Sequence, residues 1–202
     1  PASPAAPEID PSSPRHLSAF TERIDSHTPS PTGEHLVCGA ARGGNENAQL
    51  WLMDARTGRT EALTDLPEVR HGAPSWSPDG RTIYFASTEA NGKDFFVYRM
   101  DLAAREKSLV ADLTDWNSPG DVSADGSRLL VTHAVSNVNT DIYLVDLAGG
   151  GRTLLTPHEG EAVYDAARFD RSGGKIYLVT NANPDGVARR ALLDLGTKAI
   201  RF

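Results

Sequence analysis

Apolar residues in this chain fall in short runs that alternate with polar ones and break at Gly, Pro, Asp or Ser roughly every ten residues. Val, Ile, Tyr and Thr are prominent in the runs, and all of them suit a pleated, half-buried strand. The stretch after residue 70 shows the pattern most plainly. It predicts strands over about 72–76, 82–87, 95–101 and 107–112. Between the first two lies Ser77-Pro78-Asp79-Gly80. Proline's fixed φ suits the second position of a type I turn, Asp79 can bond nearby backbone, and Gly80 tolerates the left-handed conformation that closes such a turn. Strand, turn and strand make an antiparallel hairpin.

The same register recurs in Ser30 to Cys38, Val122 to Val131 and Phe169 to Val179, with Gly33, Asp125-Gly126 and Gly173 at the matching turns. Ser30, Ser77, Ser123 and Asp170 are spaced 46 or 47 residues apart. A second landmark keeps the same beat: Asp54, Asp101, Asp146 and Asp194 each end a third apolar run and precede a polar turn and a short strand. A period in the forties with four strands per unit is the signature of a propeller blade. The prediction is an all-β chain of four-stranded antiparallel blades, over about 26–65, 72–112, 118–157 and 163–202. A residue that recurs at one place in every blade serves the blade. The four aspartates are therefore expected to cap turns rather than to form a catalytic ring. Trp76 and Trp116 are expected in blade packing, with lining of a central channel as the alternative for one of them.

Composition changes this picture little. The chain has 202 residues, 39% hydrophobic and 23% charged, with 18 glycines and 13 prolines: a turn-rich chain long enough for a sizeable core. A formal net charge of −7 with no Lys/Arg cluster argues against a nucleic-acid partner. The Arg189-Arg190 pair reads as solvated surface. No apolar run approaches a membrane span. Cys38 is the only cysteine, so no intrachain disulfide can form, and it reads as a small buried apolar residue. Residues 1–25 are rich in Pro, Ala and Ser near the start and read as a leader or linker, with a possible short helix at His16 to Ile24. A Pro/Ala-rich start is common after a removed export signal, which favours a periplasmic or secreted location over a cytoplasmic one.

Local chemistry is sparse. None of the six histidines forms HExxH or a close His-x-His pair, so no metal site is expected. No phosphate-binding loop or dinucleotide fingerprint occurs, and no cofactor is expected. His158, Glu159 and Glu161 form the densest ionisable cluster and read as a loop between blades. Gly149 to Gly151 reads as a hairpin turn. Gly-x-Ser-x-Gly, the strained elbow that exposes a nucleophilic serine, is absent, and Gly126-Ser127 is the end of a blade turn.

The segments Ala73 to Ser87, Asp115 to Val131, Asp141 to Glu161 and Ala167 to Asn181 resemble the WD-like repeats of TolB-type propellers. They resemble still more the amino-terminal propeller of the prolyl oligopeptidase family of serine peptidases, in its dipeptidyl- and acylaminoacyl-peptidase-like members. The resemblance covers nearly all of the chain after residue 25. It implies a propeller of seven or eight blades that caps an α/β-hydrolase domain and filters peptides on their way to a Ser-Asp-His triad. This chain departs from the pattern in holding four blades and no hydrolase half. It also lacks the adjacent glutamates with which dipeptidyl-peptidase members hold a substrate amino terminus.

Two functions follow as expectations. In one, the chain is the non-catalytic propeller of a serine peptidase, inactive by itself, and its partners are the hydrolase domain, the remaining blades and the parent enzyme's peptide substrate. In the other, it is a stand-alone TolB-like scaffold that binds protein or peptide. Either way, an arc of four blades is expected to leave two bare apolar faces, covered by further blades, a second copy or another protein.

Overall fold

A computed structural model describes residues 20, 23–41, 43 and 45–202. Sixteen strands form four antiparallel sheets of four, each sheet in simple sequence order, and no helix occurs among the described residues. Blade one holds β1 (Ile24–Pro29), β2 (His35–Ala40), β3 (Gln49–Asp54) and β4 (Thr60–Ala62). Blade two holds β5 (His71–Trp76), β6 (Thr82–Ser87), β7 (Phe96–Asp101) and β8 (Lys107–Ala111). Blade three holds β9 (Trp116–Val122), β10 (Arg128–Ser136), β11 (Asn139–Asp146) and β12 (Arg152–Leu154). Blade four holds β13 (Tyr164–Phe169), β14 (Lys175–Thr180), β15 (Arg189–Asp194) and β16 (Ile200–Arg201). The possible helix at His16 to Ile24 lies mostly outside the described residues, and Ile24 opens β1.

Successive side chains on a strand point to opposite faces of its sheet, so each inner blade can feed two cores at once. In β6, Ile83 and Phe85 join Val37 and Leu50 of blade one and Trp76, Tyr98 and Met100 of blade two. Tyr84, between them, joins Val97 and Ala111 to meet Val122, Leu129, Val131 and Val145 of blade three. In β10, Leu130 turns the other way and packs with Ile142 against Tyr164, Ile176, Leu178 and Leu193 of blade four. The three clusters are the three seams of a four-blade stack. The first strands run in series, β1 beside β5, β5 beside β9 and β9 beside β13. Trp76 donates its indole N–H to the Thr28 carbonyl (3.0 Å), and the Ser75 hydroxyl reaches the Gly120 carbonyl (2.5 Å), so the first two seams are also bonded. Trp76 is thus a blade-packing residue.

The two end faces are not the bare apolar surfaces expected of an open arc. One position on the third strand, aimed at the next blade, holds Leu50, Val97 and Ile142 in blades one to three, all fully buried. In blade four the matching residue is Arg190, exposed and paired across the sheet with Val179. Around it stand Lys175 and Arg168, with Arg201 beside Leu192 and Tyr177 58% exposed. At the other end, Cys38 and Met53 on the outward side of blade one are already buried. Trp51 lies between them and takes the edge of Phe20, with ring centroids 5.4 Å apart. Burial pushes the Cys38 thiol pKa up.

Candidate functional site

An up-and-down sheet puts the loops after strands one and three at one end and the loops after strands two and four at the other. The two ends of this stack differ in character. The first carries only the repeated turns. In each hairpin after a first strand, the glycine N–H bonds back three residues: Gly33 to Ser30, Gly80 to Ser77, Gly126 to Ser123 and Gly173 to Asp170, at 2.8–3.0 Å. All four glycines have φ between 69° and 73°. Thr82 N–H donates to the Ser77 hydroxyl (2.9 Å), which donates to Asp79 (2.6 Å). Ser123 and Asp125 repeat the arrangement, with Arg128 N–H as the donor to Ser123. The Ser77 hydroxyl and the Arg81 N–H hold the Asp79 carboxyl below its ordinary range, and Ser123 and Ser127 do the same for Asp125. Pro78 occupies the exposed second position of its turn.

The third-strand aspartates close the other turns at this end. Asp54, Asp101, Asp146 and Asp194 each accept two backbone N–H bonds from the residues two and three further on, at 2.6–3.1 Å. In each aspartate both bonds fall on one carboxylate oxygen, Oδ1, which caps the turn. Gly126 offers a clean test of the turn. A Cβ there meets nothing within 4 Å, so Gly126→Ala reports backbone strain alone. We expect a loss of about 1 kcal/mol by urea denaturation, the left-handed cost less the entropy gained in the unfolded chain.

The opposite end is irregular, and it holds a concavity of about 510 Å³. Its wall comes from separate loops: Arg23 and Asp25 at the start of β1, Arg70 and His71 at the start of β5, Phe95 before β7 and Trp116 at the start of β9. Phe95 N–H donates to the Asp115 carbonyl (2.9 Å), and a parallel bridge holds Phe95 beside Trp116. Their rings lie 4.2 Å apart. Phe95 is buried, whereas Trp116 is 49% exposed at the lip, so one face of its ring packs on the neighbouring blade and the other is open. The Arg70 guanidinium sits 5.8 Å from the Phe95 ring centroid. Arg23 pairs with Asp25 at 3.3 Å.

A buried amide fixes the platform. Asn117 is fully buried and donates to the carbonyls of Phe95 (2.9 Å), Leu113 (2.7 Å) and Thr114 (3.0 Å). Its oxygen accepts from His133 Nδ1 (2.9 Å). The loop from 113 to 117 is thereby tied to the start of β7, and Asp115 is held at φ 64°. His71 contrasts with these satisfied groups. It is 3% exposed, and neither ring nitrogen makes a well-formed hydrogen bond, with the backbone of Ala48 and Val69 alongside the ring. Burial lowers its pKa to about 4, with Lys107 acting in the same direction and with Glu89 and the Ala48 and Val69 backbone opposing.

The remaining candidates stand apart from this cleft. His158 bonds the Thr156 carbonyl and the Asn139 oxygen and faces Asp141 at 3.3 Å, an arrangement that holds the loop before blade four. Arg189 pairs with Asp185 on the surface. No three His, Cys, Asp or Glu side chains converge as a metal site among the described residues. No helix among them is long and apolar enough to cross a membrane. The cleft residues have no motif to announce them, because they lie where the repeats differ. An unrepeated Trp at the start of a first strand is the one sequence sign of it.

Four-stranded antiparallel sheets stacked in sequence through their inner strands define a β-propeller. The chain belongs to the TolB beta propeller domain family, whose model matches residues 8–183. It is similar to dipeptidyl aminopeptidase BIII of Pseudoxanthomonas mexicana, 23% identical over 225 residues, covering 87% of this chain and 32% of that protein. In structure it is similar to TolB from Acinetobacter baumannii, with a TM-score of 0.72, 24% identity, and coverage of 94% of this chain and 45% of that one. It is also similar to a puromycin-hydrolyzing peptidase of Mycobacterium tuberculosis, with a TM-score of 0.71, 18% identity, and coverage of 93% and 30%. The chain spans 40% or less of the length of the curated relatives it matches.

Proposed function

We propose that this chain is the non-catalytic propeller portion of a serine peptidase of the prolyl oligopeptidase family, gating peptide access to an α/β-hydrolase domain. The observation that carries the reading is the reach of the sequence similarity to a dipeptidyl aminopeptidase, which extends over 87% of the chain and so across blade after blade. The cleft is compatible with it: an aromatic platform beside fixed charges, at one end of the stack, suits a peptide on its way past. A second reading, a TolB-like scaffold that binds protein or peptide, draws on an equally good structural likeness, with a TM-score of 0.72 to a TolB.

The test is the product of the whole reading frame around this segment, assayed with a fluorophosphonate probe and chromogenic dipeptides. One labelled serine is expected in that product and none in the 202-residue chain, which lacks a nucleophile elbow. A full product with neither the elbow nor a labelled serine would remove the peptidase reading and leave the scaffold.

A further inference from the structure

We propose that the cleft at the irregular end is a binding site for a carboxylate carried next to an aromatic or large aliphatic group, the chemistry of a peptide ending in such a residue. Two features at one wall lead there. The half-exposed Trp116, packed at a tilt against Phe95, is an apolar platform open to one side. Exposed indole of this kind is uncommon on a surface without a partner, and it is a frequent anchor for flat or branched apolar groups.

Arg70 supplies the charge. Asp25 is already paired with Arg23, and no carboxylate pairs with Arg70 among the described residues. Its guanidinium lies over Phe95, in position to receive an anion attached to whatever rests on Trp116. Guanidinium is also the side chain best shaped to take a carboxylate through two parallel bonds.

His71, the next residue, also borders the cleft, but its ring turns the other way, into the seam against Phe85, and both of its nitrogens are buried. Arg70 is therefore the donor, and the aromatic pair beside it offers the surface for the neighbouring side chain. The site does not depend on whether the propeller serves a peptidase or a scaffold.

The experiment is calorimetric titration of the 202-residue chain with acetyl-Leu-Phe as free acid and as amide, and with acetyl-Glu-Phe-amide. Expected is preference for a carboxylate-bearing peptide over acetyl-Leu-Phe-amide by about tenfold or more. Which of the two acids binds tighter tells a chain terminus from a side chain as the source. Arg70→Gln, at an exposed side chain, is expected to erase that preference. Trp116→Ala is expected to weaken acid and amide alike, by about tenfold. Unchanged melting curves show that both variants are folded. Equal binding of acid and amide by the unaltered chain, a preference that survives Arg70→Gln, or no binding at millimolar peptide would overturn the proposal. None of these results depends on a labelled serine, so the site and the peptidase reading fail separately.

Discussion

Phe85→Ala is expected to cost about 3–5 kcal/mol, the largest single loss available in this chain. Phe85 is fully buried in the seam between blades one and two. Its ring stacks on Tyr98 with centroids 6.0 Å apart, and it lies 5.9 Å from the His71 ring. Truncation removes the transfer energy of a phenyl group and leaves a cavity walled by two sheets, neither of which can close it alone. A domain of this kind has about 5–15 kcal/mol in all, so the variant would stand near the edge of folding. Tyr177→Ala is the control. It removes a ring of similar size from the exposed face of blade four, and a change within about 0.5 kcal/mol is expected. Urea midpoints of the two variants measure the contrast. Similar losses for both would mean that the seams are not where the stability lies.

The second large effect is a loss of stability on mild acidification, by up to about 3 kcal/mol between pH 6.5 and pH 4. His71 has a folded pKa lowered to about 4, while the unfolded chain titrates near the ordinary value of 6.5. Between those limits the unfolded chain binds a proton that the folded chain refuses, so protonation draws the equilibrium toward unfolding. Above pH 6.5 both states are neutral and the contribution is complete. Below pH 4 both are charged and no more is lost from this source. The turn carboxylates act in a different window. Asp79, Asp125 and Asp170 have lowered pKa values, so their contribution is present above the unfolded carboxylate range and is lost only below about pH 4. His71→Leu should therefore flatten the stability profile between pH 6.5 and 4 and leave the steeper acid limb in place. A variant with the same slope as the parent would rule out His71 as the source.

Most of the fold was legible in the chain because the blades repeat. Ser77-Pro78-Asp79-Gly80 and Asp101 place two turns in blade two, and their counterparts place six more at the same end of the other blades. The period-2 alternation of β6, with Ile83 and Phe85 one way and Tyr84 the other, foretells two cores flanking one sheet. The cleft was not legible, for the converse reason. Arg70, Phe95 and Trp116 are far apart in sequence and meet only once two blades are packed. Asn117 looks like any loop asparagine until burial shows that it organises the loop around it. Repetition records what every blade needs, and a binding surface is what one blade has and the others lack.

Arg190 has a bearing on how copies of this molecule meet. A stack of like modules whose leading and trailing faces matched would add to itself head to tail, and such heterologous contacts give open filaments when the rotation does not close. Here the leading face presents Arg190, Arg168, Lys175 and Arg201 around a small apolar patch, while the trailing face is apolar and already has Phe20 laid on Trp51. Pressing an apolar surface on the described face of blade four would strip water from guanidinium groups. In polymer terms the arginine makes this face a poor match for the apolar back of a like blade and a better one for an acidic surface.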